Sequence, residues 1–218
     1  EISMLAACDL IIEAIFEDRV LKTELLAKLE AVLAPHAILA SNTSTLPITS
    51  LGKSLAQPGR FAGIHFFSPV DRMPLVEIIR GEATSDAALA CAVDFVRQLR
   101  KTPILVNDAH GFFTSRVVMT HIAEAHHMLA EGVPLALIEN AGKAAGMPVG
   151  PLALADEVAL DLAWRIQQAS RAERGKDHRG GPVDDILKAM VEDLGRFGRK
   201  NGKGYYDYPA QGPKQLWS

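Results

Sequence analysis

The sequence has little sulfur chemistry to offer. Its 218 residues hold two cysteines, Cys8 and Cys91, in unrelated contexts, which argues against a disulfide framework or a cysteine metal site and suits a reducing compartment. No apolar run approaches the roughly eighteen residues of a membrane span. Excess charge is missing too. A formal net charge of -3 leaves no electrostatic footprint for nucleic acid or an anionic membrane, so any bound phosphate must be held by local groups. There is no internal repeat at fixed spacing and no low-complexity tract, and the histidines and carboxylates show no metal-ligand spacing. An initiator Met is also absent: Glu1 runs almost at once into an apolar strand, and the expectation is a piece of a longer protein. What is present is ordinary for a globular chain with a sizeable core, 48% hydrophobic and 22% charged, enough for one large domain or two small ones.

The stretch Phe61–Ile79, FAGIHFFSPVDRMPLVEII, organises the rest. Two short apolar runs, Phe61–Phe67 and Leu75–Ile79, read as buried strands bounded by turn residues. Each carries one ionisable residue where apolar ones are expected, His65 in the first and Glu77 in the second. A buried strand does not hold a His or a Glu cheaply, so the two satisfy each other or find other partners. The Pro-containing bend between them can fold one strand back beside the other. A carboxylate on one imidazole nitrogen fixes the tautomer and raises the basicity of the other, which prepares a general base. Against this stands the commoner fate of such residues, which is to be hydrogen-bonded parts of a core.

Around this stretch the pattern alternates. Asp9–Ile15 reads as a parallel strand, and Asp18–Leu33 as a helix with a stripe of Leu21, Leu25, Leu29 and Val32. Ile38–Ser41 is a second strand. Ser85–Arg100 is a helix N-capped by Ser85 with Ala87, Cys91, Val93 or Phe95, and Leu99 on its stripe, and Pro103–Asn107 is a last strand. This predicts an open α/β sheet, with ligands outside the carboxyl ends of its strands. From Gly111 the character changes. Phe112–Ala130, Pro134–Ala145, Leu160–Arg171 and Asp184–Asp193 read as helices, with the polar, Gly-rich Glu173–Pro182 between the last two and a strand pattern only at Gly204–Tyr208. His121, His126 and His127 on the long helix read as solvated or interface residues.

With these motifs in order, the chain resembles the L-3-hydroxyacyl-CoA dehydrogenase family over nearly its whole length. The resemblance is carried by DLIIEAIFE (Asp9–Glu17), ILASNTSTLPIT (Ile38–Thr49), RFAGIHFFSPVDRMPLVEII (Arg60–Ile79), DAHGFFTSR (Asp108–Arg116), GMPVGPLALADEVALD (Gly146–Asp161) and GRKNGKGYYDY (Gly198–Tyr208). It is most similar to the dehydrogenase segment of multifunctional fatty-acid oxidation proteins. The resemblance implies a truncated Rossmann-like parallel sheet domain over residues 1–108 and an all-helical C-terminal domain over 109–218. It implies NAD as cofactor and an L-3-hydroxyacyl-CoA as substrate. His65 becomes the general base, Glu77 its carboxylate partner, and Ser44 and Ser115 the substrate contacts. Glu17, Lys22, Ser44, Ser68 and Lys200 line the cofactor. No metal is implied. Partners would be a second copy or a larger complex with a thiolase subunit, in the cytoplasm.

Three departures qualify this. The family's opening strand, G-x-G-x-x-G turn and helix have no counterpart in these residues, so poor NAD binding by these residues alone is expected, with exposed apolar surface where that unit would pack. In DAHGFFTSR, His110 stands where the family has Pro and Ser115 where it has Asn, a shorter group with one donor instead of two. Ser68 stands where stand-alone members often have Asn. Glu13, inside an apolar strand, is a candidate to cap a neighbouring backbone group and is given no functional role. A non-catalytic relative with the same fold, or a dehydrogenase of another 3-hydroxy acid or CoA ester, are the competing readings.

Overall fold

The computed structural model describes residues 2–174 and 181–217; the Gly-rich stretch around 175–180 and the two terminal residues lie outside them. The chain divides into two compact units, Glu1–Val117 and Val118–Ser218. In the first, the strands are β1 (Leu10–Glu13), β2 (Ile38–Ser41), β3 (Phe61–Phe66), β4 (Leu75–Arg80) and β5 (Thr102–Asn107). They form one sheet in the order β1-β2-β3-β4-β5. All neighbours are parallel except β3 and β4, where the Pro-containing bend turns the chain back and makes an antiparallel pair.

Two apolar layers cover this sheet. On one face Ile11, Leu39, Phe61 and Ile79 pack with Leu26 and Leu29 of α1 (Arg19–Glu30) and Ile48 and Leu51 of α2 (Ile48–Gly52). On the other, Ala40, Ile64, Val76 and Ile78 pack with Leu89, Ala92 and Val96 of α3 (Asp86–Gln98). Gly63 lets the first layer close, because a Cβ there would lie 2.8 Å from the Ile79 side chain and 2.9 Å from that of Ile48.

Both helices are rotated relative to the sequence reading. In α1 the inward stripe is Lys22, Leu26 and Leu29, with Leu21 exposed, because Lys22 turns in to meet a buried carboxylate. In α3 it is Ala88, Leu89, Ala92 and Val96, one position off the stripe read from the sequence. Ser85 does cap α3, its side chain accepting from the Ala88 amide at 3.2 Å. β1 forms one edge of the sheet, and near it Met4, Ile15, Phe16, Val20 and Leu21 are exposed, Phe16 by 80%. An apolar surface of this kind invites a covering partner.

The longest described helix, α4 (Thr114–Ala130), starts in the first unit. The second unit adds α5 (Leu135–Ala144), α6 (Pro151–Val158), α7 (Leu160–Arg174) and α8 (Pro182–Lys188), the last running into a π-helical turn at Ala189–Asp193. A small antiparallel pair, β6 (Tyr206–Asp207) with β7 (Gln215–Leu216), ends it. The sequence reading missed α6 and β7. Asp156 on α6 accepts from the Tyr205 and Tyr206 amides at 2.8 and 2.9 Å and from the Tyr208 hydroxyl at 3.0 Å. Gly204 sits directly against that carboxylate, so one glycine of the GRKNGKG segment answers to packing.

One sequence expectation fails here. His126 is not solvated. It is 2% exposed, its ring edge-on to Tyr205 and its Nδ1 2.8 Å from the Ile122 carbonyl. Burial, with a smaller contribution from His127, pulls its pKa below the ordinary 6.5 and outweighs the hydrogen bond to Ile122. The unfolded chain therefore takes up a proton near pH 6.5 while the folded chain still resists it, and stability falls as pH drops through that value. The slope from this residue is at most about 1.4 kcal/mol per pH unit. Denaturant melts from pH 7.5 to 5.0 are expected to show a steeper loss in the parent than in His126→Gln. Equal slopes would remove His126 from the acid response.

Candidate active site

Strand alternation puts Ile11 and Glu13 of β1 on the same face, and likewise Leu39 and Ser41 of β2, Phe61, Gly63 and His65 of β3, and Glu77 and Ile79 of β4. The apolar members of that set belong to the core beneath α1 and α2. The polar members gather in one row toward the carboxyl ends of β1, β2 and β3. Registry makes neighbours of Glu13 and Ser41, of Ser41 and Gly63, and of His65 and Glu77.

His65 and Glu77 are directly opposite across the antiparallel pair, and His65 Nδ1 lies 2.8 Å from Glu77 Oε2. Glu77 is wholly buried. Its other oxygen, Oε1, accepts from the Phe113 and Thr114 amides at 3.1 and 2.8 Å, and the Thr114 hydroxyl donates to Oε2 at 2.8 Å. The carboxylate thus serves as the N-terminal partner of α4. Gly111 at φ 71° and Phe112 at φ 49° turn the chain so that these donors point at it. Burial alone would push the Glu77 pKa up. The hydrogen bonds from His65 and from the Thr114 amide and hydroxyl outweigh it and hold the carboxyl below its usual 4.5. An ionised carboxylate only accepts, so the proton of the shared bond sits on Nδ1, and in the neutral imidazole Nε2 presents a lone pair. That nitrogen has no hydrogen-bond partner among the described residues. The ring is flanked by Phe67 at 4.6 Å and Phe112 at 5.9 Å between centroids.

A second cluster lies at the ends of β1 and β2. Lys22 is 1% exposed, and its ammonium meets Glu13 Oε1 at 2.6 Å, the Ile15 carbonyl at 3.0 Å and Glu17 Oε2 at 3.5 Å. Glu13 also accepts from the Ile15 amide at 2.7 Å and the Ser41 hydroxyl at 2.7 Å. Glu17 Oε1 gathers the Thr43 hydroxyl at 2.6 Å, the Ser44 amide at 3.1 Å, and the Thr45 amide and hydroxyl at 3.0 and 2.9 Å. Burial raises the Glu17 pKa, but the bonds from Thr43 and Thr45 and the Lys22 charge bring it below 4.5. The loop carrying Ser44 is held from behind as well. Asp108 caps α2 through the Ile48 and Thr49 amides, at 2.9 and 2.7 Å, and Asn42 Oδ1 accepts from the Phe66 amide at 2.9 Å.

The expected site residues therefore fall into several groups. His65 and Glu77 touch. Ser44 is attached to Glu17 through its amide, and its hydroxyl has no partner among the described residues. Lys22 spends its ammonium inside the protein, which makes it a support for Glu13 and Glu17. Ser115 follows Thr114 in the first turn of α4, half-buried, and Ser68 is exposed beyond β3. Lys200 belongs to the helical unit, where it pairs with Asp161 at 2.5 Å, beside Arg165 at 2.9 Å from the same oxygen. The sequence reading gives no functional role to Glu13, Ser41 or Thr114. The one signal available was Glu13 itself, since a carboxylate on the inward face of an apolar strand requires a cation or several donors.

These groups suit the nicotinamide–ribose side of NAD. The half-exposed Glu17 carboxylate can accept from ribose hydroxyls, and the Ser44 hydroxyl and His65 Nε2 are polar groups without a partner among the described residues. Two family models match the chain, the 3-hydroxyacyl-CoA dehydrogenase NAD binding domain over residues 1–109 and the 3-hydroxyacyl-CoA dehydrogenase C-terminal domain over 111–208. The chain belongs to the 3-hydroxyacyl-CoA dehydrogenase family. It is 42% identical over 203 residues to the fatty acid oxidation complex subunit alpha of Vibrio vulnificus, covering 93% of this chain and 28% of that subunit. Among solved structures, the (S)-3-hydroxybutyryl-CoA dehydrogenase of Ralstonia eutropha is 36% identical with a TM-score of 0.85, over 96% of this chain and 74% of that one. The 3-hydroxybutyryl-CoA dehydrogenase of Escherichia coli is 33% identical with a TM-score of 0.83, over 98% of this chain and 45% of that one. No helix among the described residues is long and apolar enough to cross a membrane.

Proposed function

We propose that this chain carries the proton-transfer apparatus for oxidation of an L-3-hydroxyacyl-CoA to the 3-oxoacyl-CoA. The observation that carries the reading is the 2.8 Å contact of His65 Nδ1 with the ionised Glu77, which leaves Nε2 as a base with no partner among the described residues. His65 Nε2 takes the proton of the 3-hydroxyl, and Glu77 stabilises the imidazolium that forms. Ser44 holds the substrate oxygen, and Ser115 lies one residue beyond the Thr114 anchor, within the same helical turn. Bound NAD supplies the hydride acceptor. Glu17 would hold its ribose, Ser44 and Ser68 would face the nicotinamide, and Lys22 would steady Glu17. Residues 1–108 are the nucleotide-binding part in this reading, and 109–218 the helical part. A second copy or a thiolase subunit is the partner, in the cytoplasm.

Turnover by the full-length protein, followed by NADH absorbance on a panel of 3-hydroxyacyl-CoA esters and free 3-hydroxy acids, tests the proposal. Oxidation of the esters is expected, with little or none of the free acids. Preference for the free acids would move the substrate class. No turnover with any member, at full occupancy by NAD, would favour a non-catalytic relative.

A further inference from the structure

Glu77 Oε2 has two donors, and only one of them is His65. The other is the Thr114 hydroxyl at 2.8 Å, while the Thr114 amide also bonds Oε1 at 2.8 Å. Thr114 thus reaches both oxygens of the carboxylate. Two amides hold Oε1, but without the hydroxyl Oε2 would be held by the imidazole alone, and the tilt about Cγ–Cδ that the amide bonds tolerate would be less opposed. The alignment of Oε2 with the Nδ1–H bond would then be lost, and hydrogen bonds weaken steeply with angle.

We propose that Thr114 is a positioning residue for the His65–Glu77 pair, its hydroxyl fixing the carboxylate oxygen that receives the imidazole proton. This rests on His65 as the base. The residue suits the task. A Thr in the first turn of a helix can send its hydroxyl to a partner outside the helix, and its β-branch limits χ1, so the hydroxyl is aimed at small entropic cost. Because the partner is ionised, the bond belongs to the stronger, charge-assisted class.

Three variants of the full-length protein test this: Thr114→Val, which keeps the shape and removes the donor; Thr114→Ser, which keeps the donor; and His65→Gln. The expected result for Thr114→Val is a kcat about tenfold lower, with KM for the acyl-CoA changed less than about twofold. Thr114→Ser should recover to within about threefold of the parent. Independently of turnover, the His65 Nδ1–H proton resonance, identified by its loss in His65→Gln, should move upfield in Thr114→Val and stay in place in Thr114→Ser. A Thr114→Val protein with unchanged resonance and unchanged kcat would overturn the proposal. So would a loss of kcat that Thr114→Ser does not restore, which would mark a structural role only. If the resonance moves as stated while His65→Gln keeps full activity, Thr114 does position the pair, and the reading of His65 as the base falls instead.

Discussion

Replacing His65 by glutamine in the full-length protein lowers kcat by about 10²–10⁴-fold, some 3–5 kcal/mol of barrier. The size follows from what glutamine keeps and what it loses. Its amide NH₂ can still donate to Glu77 Oε2, so the buried carboxylate is not abandoned and the fold tolerates the change. No atom remains that can take a proton from a hydroxyl at neutral pH. Oxidation of an alcohol by hydride loss leaves a protonated carbonyl unless that proton departs in the same event, so the deficit falls on the chemical step. KM should move little. The assay is NADH absorbance with parent and variant at saturating NAD, and a fully active His65→Gln protein would remove His65 from the mechanism.

The second large effect is expected at Lys22. Its ammonium is the counter-charge of the buried Glu13, at 2.6 Å, with both side chains at or below 1% exposure. Lys22→Met leaves a carboxylate in the core with the Ile15 amide and the Ser41 hydroxyl as its remaining donors. Breaking one side of a buried ion pair costs about 3–5 kcal/mol, whereas replacing both sides by apolar residues is often close to neutral. Denaturant unfolding of the 218-residue chain should therefore show a large loss for Lys22→Met and substantial recovery on adding Glu13→Leu. A single-variant loss under about 1 kcal/mol, within the range of ordinary surface changes, would mean that water reaches Glu13 freely.

Much of the first unit can be read from the sequence because its strands are short apolar runs with punctuation at both ends. The return of β4 beside β3 follows from the Pro-containing bend, and the meeting of His65 with Glu77 follows from placing one ionisable residue in each run. The helices are less legible. In α1 the sequence offers Leu21 and Leu25 as inward residues, yet the buried face is set by Lys22, a residue no hydrophobic pattern counts as core. Its inward turn depends on Glu13, 9 residues away, a long-range electrostatic contact that local periodicity does not contain. Thr114 is invisible for a similar reason, since nothing in DAHGFFTSR announces that the turn at Gly111–Phe112 points its donors at a carboxylate 37 residues earlier. His126 was misread because a single helix face does not reveal which residues a later segment, here Tyr205, will cover.

The row of Glu13, Ser41, His65 and Glu77 along one sheet face also bears on how this chain avoids folding wrongly. Parallel strands rich in Ile, Val and Ala are poor at distinguishing one alignment from the next, because apolar side chains on both faces satisfy either. A slip of β3 by a single residue would carry His65 into the layer built from Ala40, Ile64, Val76 and Ile78 against α3, stranding an imidazole in hydrocarbon and Glu77 without its partner. A slip of β1 would do the same to Glu13. The residues proposed for chemistry thus act as alignment marks during assembly, penalising single-residue slips before any substrate is present. Mutating them to apolar residues would then enlarge the set of misaligned states the chain can reach, even where the native state loses nothing.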